Sequence, residues 1–221
     1  MPESASPVEN GSSALIADDP FHPEVTATDR VFGGMVWDVR RDTFDFNGHA
    51  ITREYVDHTG AVGVLAIDDD DRVLLIRQYR HPVRQREWEI PAGLLDIADE
   101  HPLVGAKREL AEEADLGATK WAVLSDYQTT PGGSTEAIRV YLARGLSAVS
   151  HDFEREAEEA DMEVRWVPLD DLVDAVLARR VQNSLTVIAA LTAHAARSRG
   201  WETLAPADSP WPRRPRKGAS A

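Results

Sequence analysis

Strand-like and helix-like segments alternate along most of the chain, and none of them recurs at a fixed period. Residues 61–67 and 72–79 are largely apolar and flank the acidic run Asp68–Asp71, which indicates two buried strands joined by a solvated turn. Residues 102–115 place apolar side chains at helical spacing and begin with proline, which is favoured in a first helical turn. Strands and helices that interleave in this way predict an α+β protein whose helices pack on a mixed sheet.

An antiparallel sheet is predicted ahead of these elements. Apolar and polar residues alternate on both sides of Asn47-Gly48, a dipeptide typical of tight hairpin turns. Both ends of the chain are rich in proline and charged or small polar residues, so we expect them to be mobile tails. The predicted division is a tail over 1–28, the N-terminal sheet over 29–58, the main domain over 59–200 and a second tail over 201–221.

Composition removes several classes of function. The 221 residues carry a net charge of −14, from 24 Lys and Arg against 38 Asp and Glu, which does not suit nonspecific nucleic-acid binding. The chain lacks cysteine, so disulfides, thiolate zinc sites and cysteine nucleophiles are excluded. The longest strongly apolar stretch, residues 61–67, is far short of the roughly 20 residues that a membrane helix needs. Since the first residues show no secretory signal, we expect a cytoplasmic protein that does not bind membranes.

Three carboxylates share one side of the helix predicted over 102–115. Glu109 and Glu113 stand four positions apart, and Glu112 lies three positions after Glu109. Like charges at this spacing weaken a helix, and local rules of this kind are broken most often at functional sites. Oxygen ligands suit a hard divalent ion such as Mg²⁺ or Mn²⁺, although the same pattern also fits an ordinary solvated acidic face.

The residues around this helix resemble a known motif. Gly93, Glu100, the run 108–113 (RELAEE) and Leu116 are similar to the Nudix box, G-x5-E-x7-R-E-U-x-E-E-x-G-U, where U is a bulky aliphatic residue. There are two departures, because six residues rather than five separate the glycine from the glutamate, and Asp115 replaces the last glycine. Aspartate tolerates a positive φ better than most residues, so we expect the helix to end normally there.

The resemblance extends to one branch of the Nudix hydrolases. Residues 88–93 (WEIPAG) look like the segment that enters the box in the ADP-ribose pyrophosphatases, and Pro131 lies 15 residues after Leu116, where that branch keeps a proline. The similarity covers roughly residues 30–200. It implies a Nudix fold, in which a mixed sheet is sandwiched between helices, together with an N-terminal antiparallel sheet exchanged in a homodimer.

The resemblance also implies roles for the box residues. Glu109, Glu112 and Glu113, with the backbone carbonyl of Ala92, would hold Mg²⁺ or Mn²⁺ against a diphosphate. Without bound cations, a carboxylate-lined site in so acidic a protein would repel that substrate. Three further residues of the box are expected to be structural: Gly93, Glu100 and Arg108.

The implied reaction is attack of a water molecule on phosphorus, which splits ADP-ribose into AMP and ribose 5-phosphate. Glu159, in the acidic stretch 154–161, is the expected general base, with Glu158 as the second candidate and Glu112 as a further catalytic carboxylate. An exposed acidic stretch of this kind is also compatible with a solvated loop that has no catalytic role.

The resemblance suggests five residues near the substrate: Arg53, Arg80, Trp88, Ser134 and Glu136. Guanidinium groups suit phosphate because of their forked donors, but each arginine could equally form a surface ion pair. Trp88 could stack on adenine or fill the core. Ser134 and Glu136 could reach the terminal ribose.

Two other functions remain open from the sequence. The first is hydrolysis of another nucleoside diphosphate derivative, such as a nucleotide sugar or a dinucleotide, because the box fixes the chemistry while residues outside it select the substrate. The second is a Nudix-fold sensor that binds ADP-ribose or a nucleotide without cleaving it. The presence of all three helix glutamates favours an enzyme over a sensor.

Overall fold

The N-terminal sheet contains three antiparallel strands, β1 (Val25–Gly33), β2 (Asp38–Phe46) and β3 (His49–Asp57). This computed structural model describes residues 16–149 and 162–215. The predicted hairpin is confirmed, since Asn47 and Gly48 both have positive φ, at 55° and 79°, as a tight turn between β2 and β3 requires. Because β1 begins at Val25, residues 25–28 belong to the sheet and not to the tail predicted over 1–28.

Two further sheets form the body of the protein. The larger sheet is mixed. One of its strand pairs, Ala61–Ala66 (β4) with Ala137–Ala148 (β9), is parallel, and the other pairs of this sheet are antiparallel. It contains, in spatial order, β11 (Ala205–Pro206), β8 (Leu116–Gln128), β9 (Ala137–Ala148), β4 (Ala61–Ala66) and β7 (Ala92–Leu94). The smaller one is antiparallel and contains β10 (Glu163–Pro168), β5 (Arg72–Arg80) and β6 (Gln85–Glu89).

The described ranges contain three helices, α1 (Pro102–Ala114), α2 (Leu169–Leu177) and α3 (Ser184–Arg197). His101 caps α1, because its Nδ1 accepts a hydrogen bond from the backbone N–H of Leu103. The same helix ends at Asp115, which adopts the left-handed conformation with φ 54° and ψ 32°. Aspartate therefore fills the position where the Nudix box has glycine, as expected. None of these helices is long and apolar enough to span a membrane.

The mixed sheet separates two hydrophobic cores. Alternate side chains of β4 face opposite sides, as in any strand. Ala61 and Leu65 pack with α2 and α3, whereas Val62 and Val64 pack with Ala106 and Leu110 of α1. The helices thus cover both faces of the sheet, which confirms the predicted α+β architecture.

The C-terminal segment is packed onto the domain as far as residue 215, contrary to the tail predicted over 201–221. Strand β11 pairs with β8, and the buried Arg139 of β9 binds the segment. Arg139 donates to the backbone carbonyls of Ser209 and Pro210, and its guanidinium lies 5.0 Å from the centre of the Trp211 ring. The composition suggested a tail because it does not reveal contacts between residues that are far apart in the sequence.

Candidate active site

A cleft of about 510 Å³ opens where the N-terminal sheet, the two body sheets and the start of α3 meet. Ala92 and Gly93 of β7 form part of its wall, beside Arg80 from the end of β5 and Glu89 from the end of β6. The first residues of α3 line another side. The cleft therefore lies beside the Nudix-box residues, and Ala92 and Gly93 connect it to the glutamates of α1.

Arg108 brings the carboxylates of the box together. Its guanidinium donates to Glu100 at 3.1 and 3.2 Å, to Glu109 at 2.6 Å and to Glu112 at 3.1 Å. Glu100 comes from the loop before α1, so this network ties the loop to the helix. The structural roles predicted for Glu100 and Arg108 agree with this geometry.

Gly93 and Gly105 are required by close packing against carboxylates. A Cβ atom at Gly93 would lie 2.0 Å from Oε1 of Glu109, and one at Gly105 would lie 2.8 Å from Oε2 of Glu100. Both distances are too short for non-bonded atoms. Glycine at these two positions therefore allows the glutamates to lie against the backbone.

The third box glutamate is fixed by β7. Oε2 of Glu113 accepts a hydrogen bond from the backbone N–H of Ala92 at 2.8 Å, and Glu113 is buried. Burial also raises the pKa of Glu109, while the hydrogen bond to Glu100 is the main cause of the raised pKa of Arg108. Three carboxylates thus contact one guanidinium and Glu113 binds a backbone amide, which leaves an excess of negative charge beside the cleft.

The donor chemistry of this cluster fits a hard divalent ion. Carboxylates and the nearby Ala92 carbonyl offer only oxygen ligands. Within residues 16–149 and 162–215, no three acidic or histidine side chains converge closely enough to hold an ion as they stand. Arg108 binds Glu109 and Glu112, while Glu113 binds the Ala92 amide.

Arg80 lies in the cleft, as predicted for a substrate contact, and it has a partner that sequence reasoning missed. Its Nε and Nη2 atoms donate to the two carboxylate oxygens of Glu89 at 2.8 and 2.6 Å. This ion pair is the main cause of the raised pKa of Arg80. Glu89 is almost completely buried. The sequence feature that could have pointed to Glu89 as a site residue is its position in the WEIPAG segment, two residues before Pro91.

Trp88 is not among the residues that line the cleft, and its contact with substrate stays a prediction. Neighbouring residues of a strand face opposite sides, and Glu89 takes the side that faces the cleft. Trp88 instead packs on the core and lies between the guanidinium groups of Arg77 and Arg165, at 5.5 and 4.6 Å. The core-filling alternative describes it better.

Glu136 lines the cleft as predicted, and its contacts involve residues that were not predicted. It accepts a hydrogen bond from Oγ1 of Thr129 at 2.6 Å and lies 3.4 Å from Nε2 of the buried His58. Trp37, from the turn between β1 and β2, stacks on the His58 ring. No local pattern indicated His58, because its partner is far away in the sequence.

The remaining predicted residues lie elsewhere. Ser134 contacts the backbone N–H of Glu136 through its Oγ but does not line the cleft. Arg53 is exposed on β3 and donates to the backbone carbonyl of Thr52, so a single chain does not bring it to the cleft. Glu158 and Glu159 lie outside the described residues.

Comparison with known proteins agrees with this geometry. The NUDIX domain profile matches residues 57–191. The chain is 42% identical over 193 residues to an ADP-ribose pyrophosphatase of Mycobacterium tuberculosis, which covers 87% of this chain and 92% of that protein. It is 36% identical over 164 residues to an ADP-ribose pyrophosphatase of Bacillus subtilis, which covers 74% of this chain and 88% of that protein.

A solved structure shares the fold. The crystal structure of an ADP compounds hydrolase matches with a TM-score of 0.69 at 21% sequence identity, covering 83% of this chain and 99% of that one. The profile match spans more than half of the chain, and the glutamates of α1 occupy the positions that the box requires. This protein is therefore an enzyme that belongs to the Nudix hydrolase family.

Proposed function

We propose that this enzyme hydrolyses the pyrophosphate bond of ADP-ribose to AMP and ribose 5-phosphate in a reaction that depends on Mg²⁺ or Mn²⁺. The observation that carries the proposal is the cluster of Glu100, Glu109 and Glu112 on Arg108, beside Glu113 on the Ala92 amide. This cluster lies next to a cleft that also contains Arg80. The two bacterial relatives named as ADP-ribose pyrophosphatases support the choice of substrate.

Divalent ions held by Glu109, Glu112, Glu113 and the Ala92 carbonyl would offset the negative charge, polarise the phosphoryl oxygens and lower the pKa of the attacking water. The Nudix chemistry of the family and the oxygen-only donor set support this assignment. Arg108 and Glu100 fix the helix and the loop relative to each other, so they position these ligands without taking part in bond cleavage.

Arg80 is the residue best placed to hold the diphosphate. Glu89 engages its Nε and Nη2 atoms and so fixes the orientation of the guanidinium plane. Arginine carries five N–H donors in a rigid fork, so Arg80 can bind a phosphate oxygen while it stays paired with Glu89. A positioned donor of this kind orients the substrate and stabilises charge on the phosphoryl group.

The general base is proposed to be Glu159, with Glu158 as the second candidate. The box glutamates are engaged by Arg108, by the Ala92 amide and by the proposed ions, so a carboxylate from outside the box is needed to accept the proton of water. Residues 154–161 supply a dense run of such groups.

The purified protein should convert ADP-ribose to AMP and ribose 5-phosphate in the presence of Mg²⁺, as followed by liquid chromatography. Excess EDTA should abolish the activity, and adding Mg²⁺ or Mn²⁺ back should restore it. The double variant Glu112→Gln/Glu113→Gln tests the helix directly, because it removes charge with little change in volume. Full AMP production by this variant would contradict the proposal.

A panel of other diphosphates tests the choice of substrate. Nucleotide sugars and dinucleotides share the pyrophosphate bond but differ in the group beyond it. We expect ADP-ribose to give the highest kcat/KM. A higher kcat/KM for a nucleotide sugar would leave the assignment as a Nudix hydrolase unchanged but would make the nucleotide sugar the substrate.

A further inference from the structure

His58 is a buried titratable residue at the cleft for which the reaction described above has no use. Its side chain is only 5% exposed, and it follows the last residue of β3. It lines the cleft together with Trp37 and Glu136. A buried imidazole costs free energy unless its nitrogen atoms are satisfied, so the partners of both nitrogens indicate what the residue does.

The contacts of the ring fix its protonation and its orientation. The backbone N–H of Gly60 donates to Nδ1 at 3.0 Å, so Nδ1 is an acceptor and the ring proton of neutral His58 lies on Nε2. Nε2 faces Oε1 of Glu136 at 3.4 Å. Trp37 stacks on the imidazole at 5.4 Å between ring centres, with 30° between the planes, and this contact restricts rotation of the ring.

Glu136 consequently has a partner on two sides, a hydrogen-bond donor on one and the longer contact with His58 on the other. His58 faces Oε1, and Oγ1 of Thr129 donates to Oε2 at 2.6 Å. Each oxygen of an ionised carboxylate can accept two hydrogen bonds, so both oxygens retain capacity for a ligand. The two carboxylate oxygens lie about 2.2 Å apart on a rigid group, so they can accept hydrogen bonds from two neighbouring hydroxyl groups, as in the vicinal diol of a sugar. A phosphate would be repelled by the negative charge of the carboxylate.

We propose that His58 is a positioning residue that holds Glu136 so that its carboxylate accepts hydrogen bonds from the vicinal hydroxyls of the sugar in the substrate. The identification of that sugar as the terminal ribose of ADP-ribose rests on the proposed function. The binding free energy gained from a hydroxyl depends on a partner that is already oriented, because an unordered carboxylate must first lose rotamer freedom. His58 thereby contributes to the choice between substrates that carry a diol and substrates that lack it.

Two substitutions separate the contacts of the ring. His58→Asn keeps an acceptor for the Gly60 amide near the position of Nδ1 but does not reach Glu136. His58→Gln places an amide N–H near the position of Nε2 and so retains the donor toward Glu136. His194→Asn is the matched control, since His194 is half exposed on α3. Thermal unfolding shows which variants are folded.

With ADP-ribose we expect His58→Asn to raise KM about tenfold, the value of one oriented hydrogen bond to a charged group, with kcat changed by less than about twofold. His58→Gln should recover KM to within about threefold of the wild type. With 2″-deoxy-ADP-ribose, which lacks one hydroxyl of the diol, the difference in KM between His58→Asn and the wild type should be clearly smaller. The control should match the wild type with both substrates.

Several outcomes would overturn the inference while leaving the proposed function intact. Wild-type kinetics for His58→Asn with both substrates would show that the contact does not act on the substrate, and equal losses with both substrates would show a merely structural role. If His58→Asn does not fold, ¹⁵N NMR of the wild-type imidazole decides the matter, because a proton on Nδ1 contradicts the proposed arrangement. Failure of the wild type to cleave ADP-ribose would instead overturn the proposed function, and calorimetry with ADP-ribose would then test whether the affinities follow the order wild type, His58→Gln, His58→Asn.

Discussion

Gly93 is the residue at which packing most directly controls the site. Replacing it with alanine would bring a Cβ atom to 2.0 Å from Oε1 of Glu109, so the carboxylate must move. Displacement of a catalytic group by about 1 Å can cost about 100-fold in rate, and we expect a loss of kcat/KM of this size for Gly93→Ala. Gly132→Ala is the control, because a Cβ atom there meets nothing within 4 Å. Steady-state kinetics on both variants measure the difference, and equal activity would show that Glu109 tolerates displacement.

The general base is tested by two neighbouring substitutions. Glu159→Gln should lower kcat by about 100-fold or more with little change in metal affinity, since glutamine keeps the shape but cannot accept a proton. Glu158→Gln serves as the matched control and should retain nearly normal turnover. The reverse result would assign the role to Glu158, and normal turnover of both variants would assign it to a carboxylate of the box.

Acid sensitivity offers a prediction about His58 that does not depend on catalysis. Burial lowers its pKa below the ordinary value of 6.5, although the facing carboxylates of Glu136 and Asp57 oppose this. The unfolded chain therefore takes up a proton at higher pH than the folded protein does. The stability contributed by neutral His58 is present above pH 6.5 and is lost as the pH falls through the lower folded pKa. Urea unfolding of the wild type and of His58→Asn at several pH values should show a smaller loss for the variant, and parallel curves would contradict the lowered pKa.

At the scale of residues, the sequence predicts contacts that are local. Glu109, Glu112 and Glu113 follow helical spacing, so their common side is visible without a structure. The pairing of His58 with Glu136 is not visible, because it depends on how the end of β3 meets the loop before β9. The side of β6 that Trp88 occupies is not visible for a related reason, since one residue of register decides which side of the strand faces the cleft.

Among the elements, the C-terminal segment is bound by a buried arginine in addition to its strand pairing with β8. Arg139 is 2% exposed, donates to both carboxylate oxygens of Asp126 at 2.7 Å and binds two carbonyls of the segment. Arg139→Met keeps apolar volume but leaves Asp126 and the carbonyls without this donor. Asp126 is 37% exposed, so the charge left behind is partly solvated. Hydrogen bonds to charged groups contribute about 1.5–3 kcal/mol, and we expect the free energy of unfolding to fall by about 2 kcal/mol.

The control for this prediction is Arg165→Met. Arg165 forms a surface pair with Glu163, and surface pairs contribute about 0–1 kcal/mol. Chemical denaturation should therefore separate the two variants clearly. Similar stability of both would mean that the C-terminal segment contributes little to the folded domain.

The same segment shows where prediction from sequence ends at the scale of elements. Helices α1 and α3 carry their own signals, namely apolar periodicity, a proline at the start of α1 and a capping asparagine, Asn183, at the start of α3. Strand β11 has only two residues and gains its hydrogen bonds from β8, so its own sequence gives no sign of it. A proline-rich composition predicts a tail correctly only when no distant group binds it.

For the whole molecule, much of the N-terminal sheet is left uncovered by the other residues that the structure describes. Eight of the nine residues of β1 are exposed, and the sheet is tied to the body where Val56 exchanges backbone hydrogen bonds with Gly133 and Thr135. Large apolar side chains of β1 and of the turn after it are from 45% to fully exposed: Val31, Phe32, Met35, Val36 and Trp37. Five large apolar side chains exposed within seven consecutive residues favour an interaction site.

We propose that a second copy of the chain covers this surface and that the N-terminal sheets are exchanged in a homodimer. The exposed position of Arg53 supports this, because an exposed arginine on β3 can serve a cleft only if that cleft belongs to another copy. The dimer would thus give Arg53 the phosphate-binding role that a single chain does not allow.

The dimer is tested by placing charge on the surface. Phe32→Asp/Met35→Asp should produce a monomer in light scattering at micromolar concentration, because two buried, unpaired carboxylates would oppose association. Leu177→Asp is the control, since Leu177 is 63% exposed on α2, away from the N-terminal sheet, and should leave the dimer intact.

If Arg53 acts in the partner's cleft, the monomer and a dimeric Arg53→Ala variant should both show a raised KM for ADP-ribose. A wild-type protein that is monomeric and fully active would exclude exchange, and Arg53 would then be an ordinary surface residue.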